Sequence, residues 1–253
     1  MSLIAVERIK LFSTRSPWWC MIVSAVLAIG LAALFTGFAT GADEAKVTPW
    51  MTQGGVQLSQ MVMMVMAALA VTTEYRFNTI KTSFQAVPQR AAVLLNKTLV
   101  VAVLAGVVGL AASFGSWLIG YLLAGTADMA IDTPQEWRLL LGNGLVNALS
   151  AVIAVAVGIL LRQSAAAIAI VILWPLAVEN LVLLIPKIGD DLNKWAPFTN
   201  AGLFLNKGQD AGLAGANAIP TEGLAPWPAL LYFAAWAAGL LIIALAVASK
   251  RDA

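Results

Sequence analysis

Of 253 residues, 60% are hydrophobic and only 11% are charged. A soluble domain carries about 25% charged residues, so a soluble fold of this length would leave far too much apolar surface facing water. A net charge of +2 makes no case for nucleic acid; the absence of histidine removes the usual zinc sites, Ser-His triads and imidazole relays, and the single Cys20 excludes an intramolecular disulfide.

Charges punctuate the chain. Six nearly uncharged stretches, 16–42, 47–73, 98–127, 139–161, 163–186 and 223–249, each exceed the ~20 residues that cross a hydrocarbon core as a helix. Helices are predicted near 17–38, 56–74, 98–124, 140–161, 165–186 and 228–248. Their apolar runs are continuous rather than alternating, which argues against a β-barrel. The predicted fold is all-α: a polytopic membrane protein with six transmembrane helices, an N-terminal amphipathic interfacial helix over 1–16 and a single six-span domain over 17–253.

The first segment, Ser2 to Ser16, mixes Leu3, Ile4, Ile9, Leu11 and Phe12 with Glu7, Arg8, Lys10 and Arg15. It is expected to lie along the inner membrane surface, apolar side down, with its basic groups at the lipid headgroups. Pro17 suits the first turn of span 1. That span is longer than a signal-peptide core and follows a charged segment, so it reads as retained rather than cleaved.

Span 2 carries Met61, Met63, Met64 and Met66, which read as adaptable packing rather than metal ligands. The connection after it runs from Glu74 to Lys97. Within it, Thr79 to Ala86 is predicted to form two helical turns that stop before Val87-Pro88. Ile80 and Phe84 are four apart and share a face. That face suits either a docking knob for a soluble partner or a basic loop held to lipid.

Span 5 contains the one intramembrane charge, Glu179, beside Asn180 and four residues after Pro175. A carboxylate in hydrocarbon is costly, so Glu179 is expected to face protein or a wet cavity. It reads either as a polar site on a transport path or as a structural hydrogen-bond partner between helices. Replacement by glutamine is expected to be tolerated. Beyond it, 187–227 forms the longest outer segment, in which Leu203, Phe204 and Leu205 make an apolar island that suits either a helix dipping back into the membrane or a solvated loop. Trp18, Trp19, Trp50, Trp137 and Trp227 recur near the drawn interfaces, as lipid anchors do.

Lysine and arginine set the orientation. With the N-terminus inside, inner segments hold ten of the 15 basic residues and outer loops hold five, Lys46, Arg138, Lys187, Lys194 and Lys207. Both termini, Lys81, Arg90 and Arg251 are therefore expected in the cytoplasm, and Asp128 and Asp210 outside.

Glu7-Arg-Ile-Lys10-Leu-Phe-Ser13-Thr-Arg15-Ser16-Pro-Trp18 resembles the N-terminal signature of permease subunits of actinobacterial type-2 ABC exporters. The 74–97 connection is similar to that family's segment after span 2 at Glu74, Thr79, Ile80, Pro88, Arg90 and Lys97, and departs at Asn78, where the family has glycine. Gly158 to Ser164 resembles its turn between spans 4 and 5, and Trp174 to Glu179 its fifth span.

This resemblance implies a permease in a bacterial inner membrane, moving an amphipathic substrate such as a lipid or drug outward. It implies a second permease chain, as homo- or heterodimer, and a separate cytoplasmic ATPase. The chain has no GxxxxGK[ST] loop, so ATP and Mg would belong to that partner. The segment 75–97 would be the coupling element, with Thr79, Ile80, Phe84, Pro88 and Arg90 at the ATPase. A non-transporting anchor or assembly subunit of a larger membrane complex is the other class open to such a chain. An ion channel has less support, because one acid makes a poor pathway.

Overall fold

The computed structural model describes residues 3–40, 47–86, 89–124, 129–210 and 222–250; in the short helix at 79–86 the side chains of Lys81, Ser83, Phe84 and Ala86 lie outside the description. The described residues form helices and no strands. They include six helical stretches long and apolar enough to cross a membrane, Arg15–Thr40, Pro49–Arg76, Arg90–Ala124, Pro134–Leu161, Ser164–Val182 and Pro226–Lys250.

In chain order, α1 (Leu3–Ser13) is followed by span 1, α2 (Arg15–Thr40), with Pro17 in its first turn. A 3-10 turn (Pro49–Gln53) leads into α3 (Gly54–Arg76). The short α4 (Thr79–Ala86) precedes α5 (Arg90–Ala124). Helix α6 (Pro134–Leu161) meets α7 (Ser164–Leu173), which runs through a π turn (Trp174–Val178) into α8 (Glu179–Val182). Two short helices, α9 (Gly189–Asn193) and α10 (Pro197–Asn206), precede the last span, α11 (Pro226–Lys250).

Two boundaries move from their sequence positions for identifiable reasons. Span 4 begins at Pro134 because Thr133-Pro-Gln-Glu136 closes a capping box: Glu136 N–H donates to Thr133 Oγ1 at 3.3 Å and Thr133 N–H to Glu136 Oε2 at 2.9 Å. Span 3 begins at Arg90 rather than near 98, and its 35 residues make a rod of ~52 Å, longer than the ~30 Å hydrocarbon core. Its first two turns therefore stand beside α4.

Helices α3 and α6 are central. In α6, 67% of the apolar window is buried inside the fold, against 17% in α11, which leaves broad outer faces for lipid or a second chain. The central packing uses small residues, as expected where lipid is as apolar as the core. A Cβ on Gly55 would lie 2.6–2.9 Å from the backbone of Leu27 and Ala28, so α2 and α3 approach only because residue 55 is glycine. The four methionines of span 2 are buried in α3, three of them in the main core beside Ala154, Val155 and Ile159 of α6. Inside the bundle Gln53 Oε1 accepts from Ser113 Oγ at 2.7 Å and from Asn143 Nδ2 at 3.1 Å, tying together the start of α3, α5 and α6.

Leu203 and Phe204 are buried in α10 against α6 and α11, and Phe198 meets Phe233 edge-on at 5.4 Å. The apolar island is thus a packed helix rather than a solvated loop.

Candidate functional site

The end of the bundle that carries α4 is organised by four charges. Lys97, near the start of α5, lies 2.5 Å from Glu7 of α1 and 2.9 Å from Glu74 of α3. Lys10 lies 3.3 Å from Glu7 and 3.7 Å from Glu74. The side chains of Lys97 and Glu7 are each only 6% exposed, so this is a buried cluster rather than a surface ion pair. Its two acids and two bases balance.

The cluster sits at the base of α4. Helix α3 ends two residues after Glu74, where Phe77 N–H donates to the Thr73 carbonyl at 2.9 Å. Asn78 then turns the chain with φ of 57°, the left-handed region that glycine enters freely and asparagine tolerates. This is the position where the resembling family carries glycine. Thr79 opens α4, and its hydroxyl reaches back to the Glu74 carbonyl at 3.5 Å. Arg90 opens α5 on the other side. Lys97 thus grips the helix that enters the connection and belongs to the helix that leaves it.

The turn between α6 and α7 braces the same end of α3. Arg162 caps α6 with φ of 55° and places its guanidinium 4.9 Å from the centre of the Tyr75 ring. Ser164 donates to Thr72 Oγ1 at 3.0 Å. Gly158 packs on Ala68 and Thr72, where an added Cβ would come within 3.2 Å of the Ala68 carbonyl.

Several sequence assignments change here. Glu7, assigned to the interfacial helix, instead turns inward to Lys97; Lys10 stays half-exposed beside Glu7 and Glu74, and Ile4 and Ile9 are exposed. A buried lysine at the start of α5 needs a counter-charge, and that outweighs the apolar pattern of α1. Arg15 remains exposed at the start of α2. Ile80 does not project as a knob: it is 2% exposed and packs in the main core, because the Asn78 reversal lays the first turn of α4 back on the bundle. The side chain of Phe84, its predicted companion, and all of Pro88 lie outside the described residues, as do Asp128 and Arg251. The outward residues here are Phe77, 67% exposed, with Asn78, Thr79, Thr82 and Gln85.

At the opposite end, Glu179 is buried and fully engaged. Its Oε1 accepts from Trp174 Nε1 at 3.1 Å and Phe198 N at 2.9 Å, and its Oε2 from Thr199 N at 2.7 Å and Thr199 Oγ1 at 3.0 Å. Phe198 and Thr199 belong to the first turn of α10, whose N-cap, Ala196, has no side-chain acceptor. Glu179 therefore caps α10 from another helix and places negative charge at its positive end. Asn193 Nδ2 donates to the Glu179 carbonyl at 2.6 Å. The geometry gives Glu179 a structural role, and Glu179 also lines the neighbouring cavity. Asn180 is exposed and bonds to the Leu176 carbonyl at 2.8 Å.

Between α3, α6, span 5 and α10 lies a cavity of about 360 Å³. Gln57, Gln60, Asn143 and Asn180 give it a polar lining, and Met61 and Met64 an apolar one.

Residues 3–177 match the family model described as ABC-2 family transporter protein. The chain belongs to that family. The match spans α1 to the π turn, and so contains the whole charge cluster, α4 and the Gly158–Ser164 brace. A comparison with curated proteins gives no match. As an ABC-2 permease, the chain is a multi-pass membrane transport component of the kind that generally works with a cytoplasmic ATPase. The sequence singled out Glu74 and Lys97 by resemblance but not the pairing of Lys97 with both Glu74 and Glu7. A basic residue opening a 30-residue uncharged run, with one acid, Glu7 or Glu74, in each of the first two inner segments, was the available signal.

Proposed function

We propose that this ABC-2 permease is the membrane-spanning half of an exporter, driven by a separate ATPase that docks on the outward face of α4. The ATPase would bring ATP and Mg. The observation that carries this reading is the buried cluster of Glu7, Lys10, Glu74 and Lys97. It joins α1, α3 and α5 at the base of α4, so a push on α4 moves three elements together instead of bending a loop. Phe77, at the turn into α4, is an exposed apolar contact point, and Thr82 and Gln85 of α4 are exposed too. Burying it could contribute roughly 1.5–3 kcal/mol to an interface.

The ten-to-five bias of basic residues supports a cytoplasmic α4 end. The substrate is an amphiphile moved outward, in keeping with the mixed amide and methionine lining of the cavity near Glu179. The broad exposed faces of α2, span 5 and α11 suit pairing with a second permease chain in the bacterial cell membrane.

Co-expression with the ATPase of the neighbouring reading frame tests the proposal. The ATPase should purify with the permease, and Phe77→Ala with Gln85→Ala should release it while membrane insertion stays normal. Unchanged co-purification and ATP hydrolysis in that double variant would refute docking on α4.

A further inference from the structure

The cavity between α3, α6, span 5 and α10, of about 360 Å³, opens where span 5 leaves the core. Ala167 and Val171 of α7 are buried in that core, whereas the π turn that follows, Trp174–Val178, contains no buried residue. Its size is at the small end of the roughly 300–1,000 Å³ typical of ligand sites, enough for one small amphiphile.

Among the described residues the only charge lining it is negative. Glu179 stands in its wall, and no lysine or arginine does. The partners of that carboxylate are neutral donors on Trp174, Phe198 and Thr199. The positive end of α10 offsets about half an elementary charge. Each carboxylate oxygen already accepts two hydrogen bonds, so Glu179 supplies a field rather than a free acceptor.

The free acceptors are amide oxygens. Asn143, only 6% exposed, donates through Nδ2 to the Leu139 carbonyl, Ser113 Oγ and Gln53 Oε1, which leaves Oδ1 as its open end. Asn180 donates through Nδ2 to the Leu176 carbonyl and also keeps Oδ1 open. A backbone carbonyl can only accept, so it fixes which end of each amide is left over. Gln57, exposed on α3, makes no hydrogen bond within the described residues.

We propose, resting on the reading that this cavity holds the exported amphiphile, that the substrate class is the organic cation: an amphiphile bearing a protonated amine. The ammonium donates to the amide oxygens of Asn143, Asn180 and Gln57 and lies in the field of Glu179 without bonding to it. The apolar body lies along Met61 and Leu205. A head of like charge meets open acceptors and a carboxylate with no cation to receive it. A neutral head gains hydrogen bonds but not the charge attraction, which is strong away from bulk water.

The test uses the full chain alone in a neutral maltoside detergent. Three probes of one shape, phenethylammonium, phenethyl alcohol and phenylacetate, are titrated by calorimetry. The ammonium should bind about tenfold more tightly than the alcohol, and phenylacetate most weakly. Gln57→Lys, at an exposed position that bonds to nothing, should reverse the order. Gly202→Leu should abolish ammonium binding: Gly202 lines the cavity, and a Cβ there would meet only Asn206 Nδ2, at 3.9 Å, so the side chain fills open space. Equal or undetectable binding of the three probes by the parent chain would overturn the proposal. So would ammonium binding that survives Gly202→Leu, because it would then lie elsewhere. The ATPase is absent, so failure removes the substrate class and not the permease reading, which co-purification tests separately.

Discussion

Lys97 Nζ of α5 lies 2.5 Å from Glu7 Oε2 of α1, ninety residues away in sequence. The contact converts an N-terminal segment that could merely float on a membrane surface into part of the bundle end that carries α4. Lys97→Met would leave the Glu7 and Glu74 carboxylates without their main counter-charge. Breaking a buried pair from one side costs roughly 3–5 kcal/mol. Thermal unfolding in detergent should show that loss, and adding Glu7→Gln to Lys97→Met should recover part of it. A single variant as stable as the parent would show that the cluster holds nothing.

Glu179→Gln looked tolerable from sequence, because the amide keeps shape and polarity. The structure reverses that expectation: three of the four contacts on the carboxylate are N–H donors, from Trp174, Phe198 and Thr199. Either amide orientation sets an NH2 group against at least one of them. A loss of about 1–3 kcal/mol is expected, with proteolysis at α10 reporting the loosened helix. Glu179→Leu should be at least as damaging. Parent-like stability in both variants would contradict the capping role.

Asn78 sits at φ of 57° between α3 and α4. Asn78→Gly should be neutral or slightly stabilising, whereas Asn78→Val should be clearly destabilising, since a β-branched residue is a steric outlier there. Because the strain falls at the base of α4, the valine variant should also uncouple ATP hydrolysis from transport. Equal behaviour of the two variants would rule out a left-handed residue at this turn.

Gly55→Ala tests the approach of α2 to α3. Its Cβ would meet backbone atoms of Leu27 and Ala28, which cannot rotate away, so an overpacking cost of roughly 1–3 kcal/mol is expected. Gly30→Ala, whose Cβ would meet nothing within 4 Å, is the control and should be silent in the same melt.

The six spans were legible because each is a long run without charge, bounded by charged residues, and that pattern needs no tertiary information. The apolar run alone puts the start of span 4 near 140, while Thr133-Pro-Gln-Glu136 spells a capping box that starts the helix at Pro134; hydropathy passes over polar helical residues. At the candidate site, Glu74, Lys97 and the left-handed tolerance of Asn78 were visible. The direction of Ile80 was not, because four-residue spacing shows that two residues share a face without saying which way it points. The cost of Glu179 is visible in the sequence, but three of its four donors come from Phe198 and Thr199 of a helix some twenty residues on, a distance that no local pattern spans.

The outward face of α4 can be probed most directly by cross-linking. Gln85→Cys in a Cys20→Ser background, treated with a short thiol-to-amine cross-linker, should give a permease–ATPase adduct. Asp191→Cys in α9, exposed at the opposite end of the bundle, should give none. Adducts from position 191 but not from 85, or an ATPase that never cross-links to the chain, would contradict docking at α4 and the orientation together.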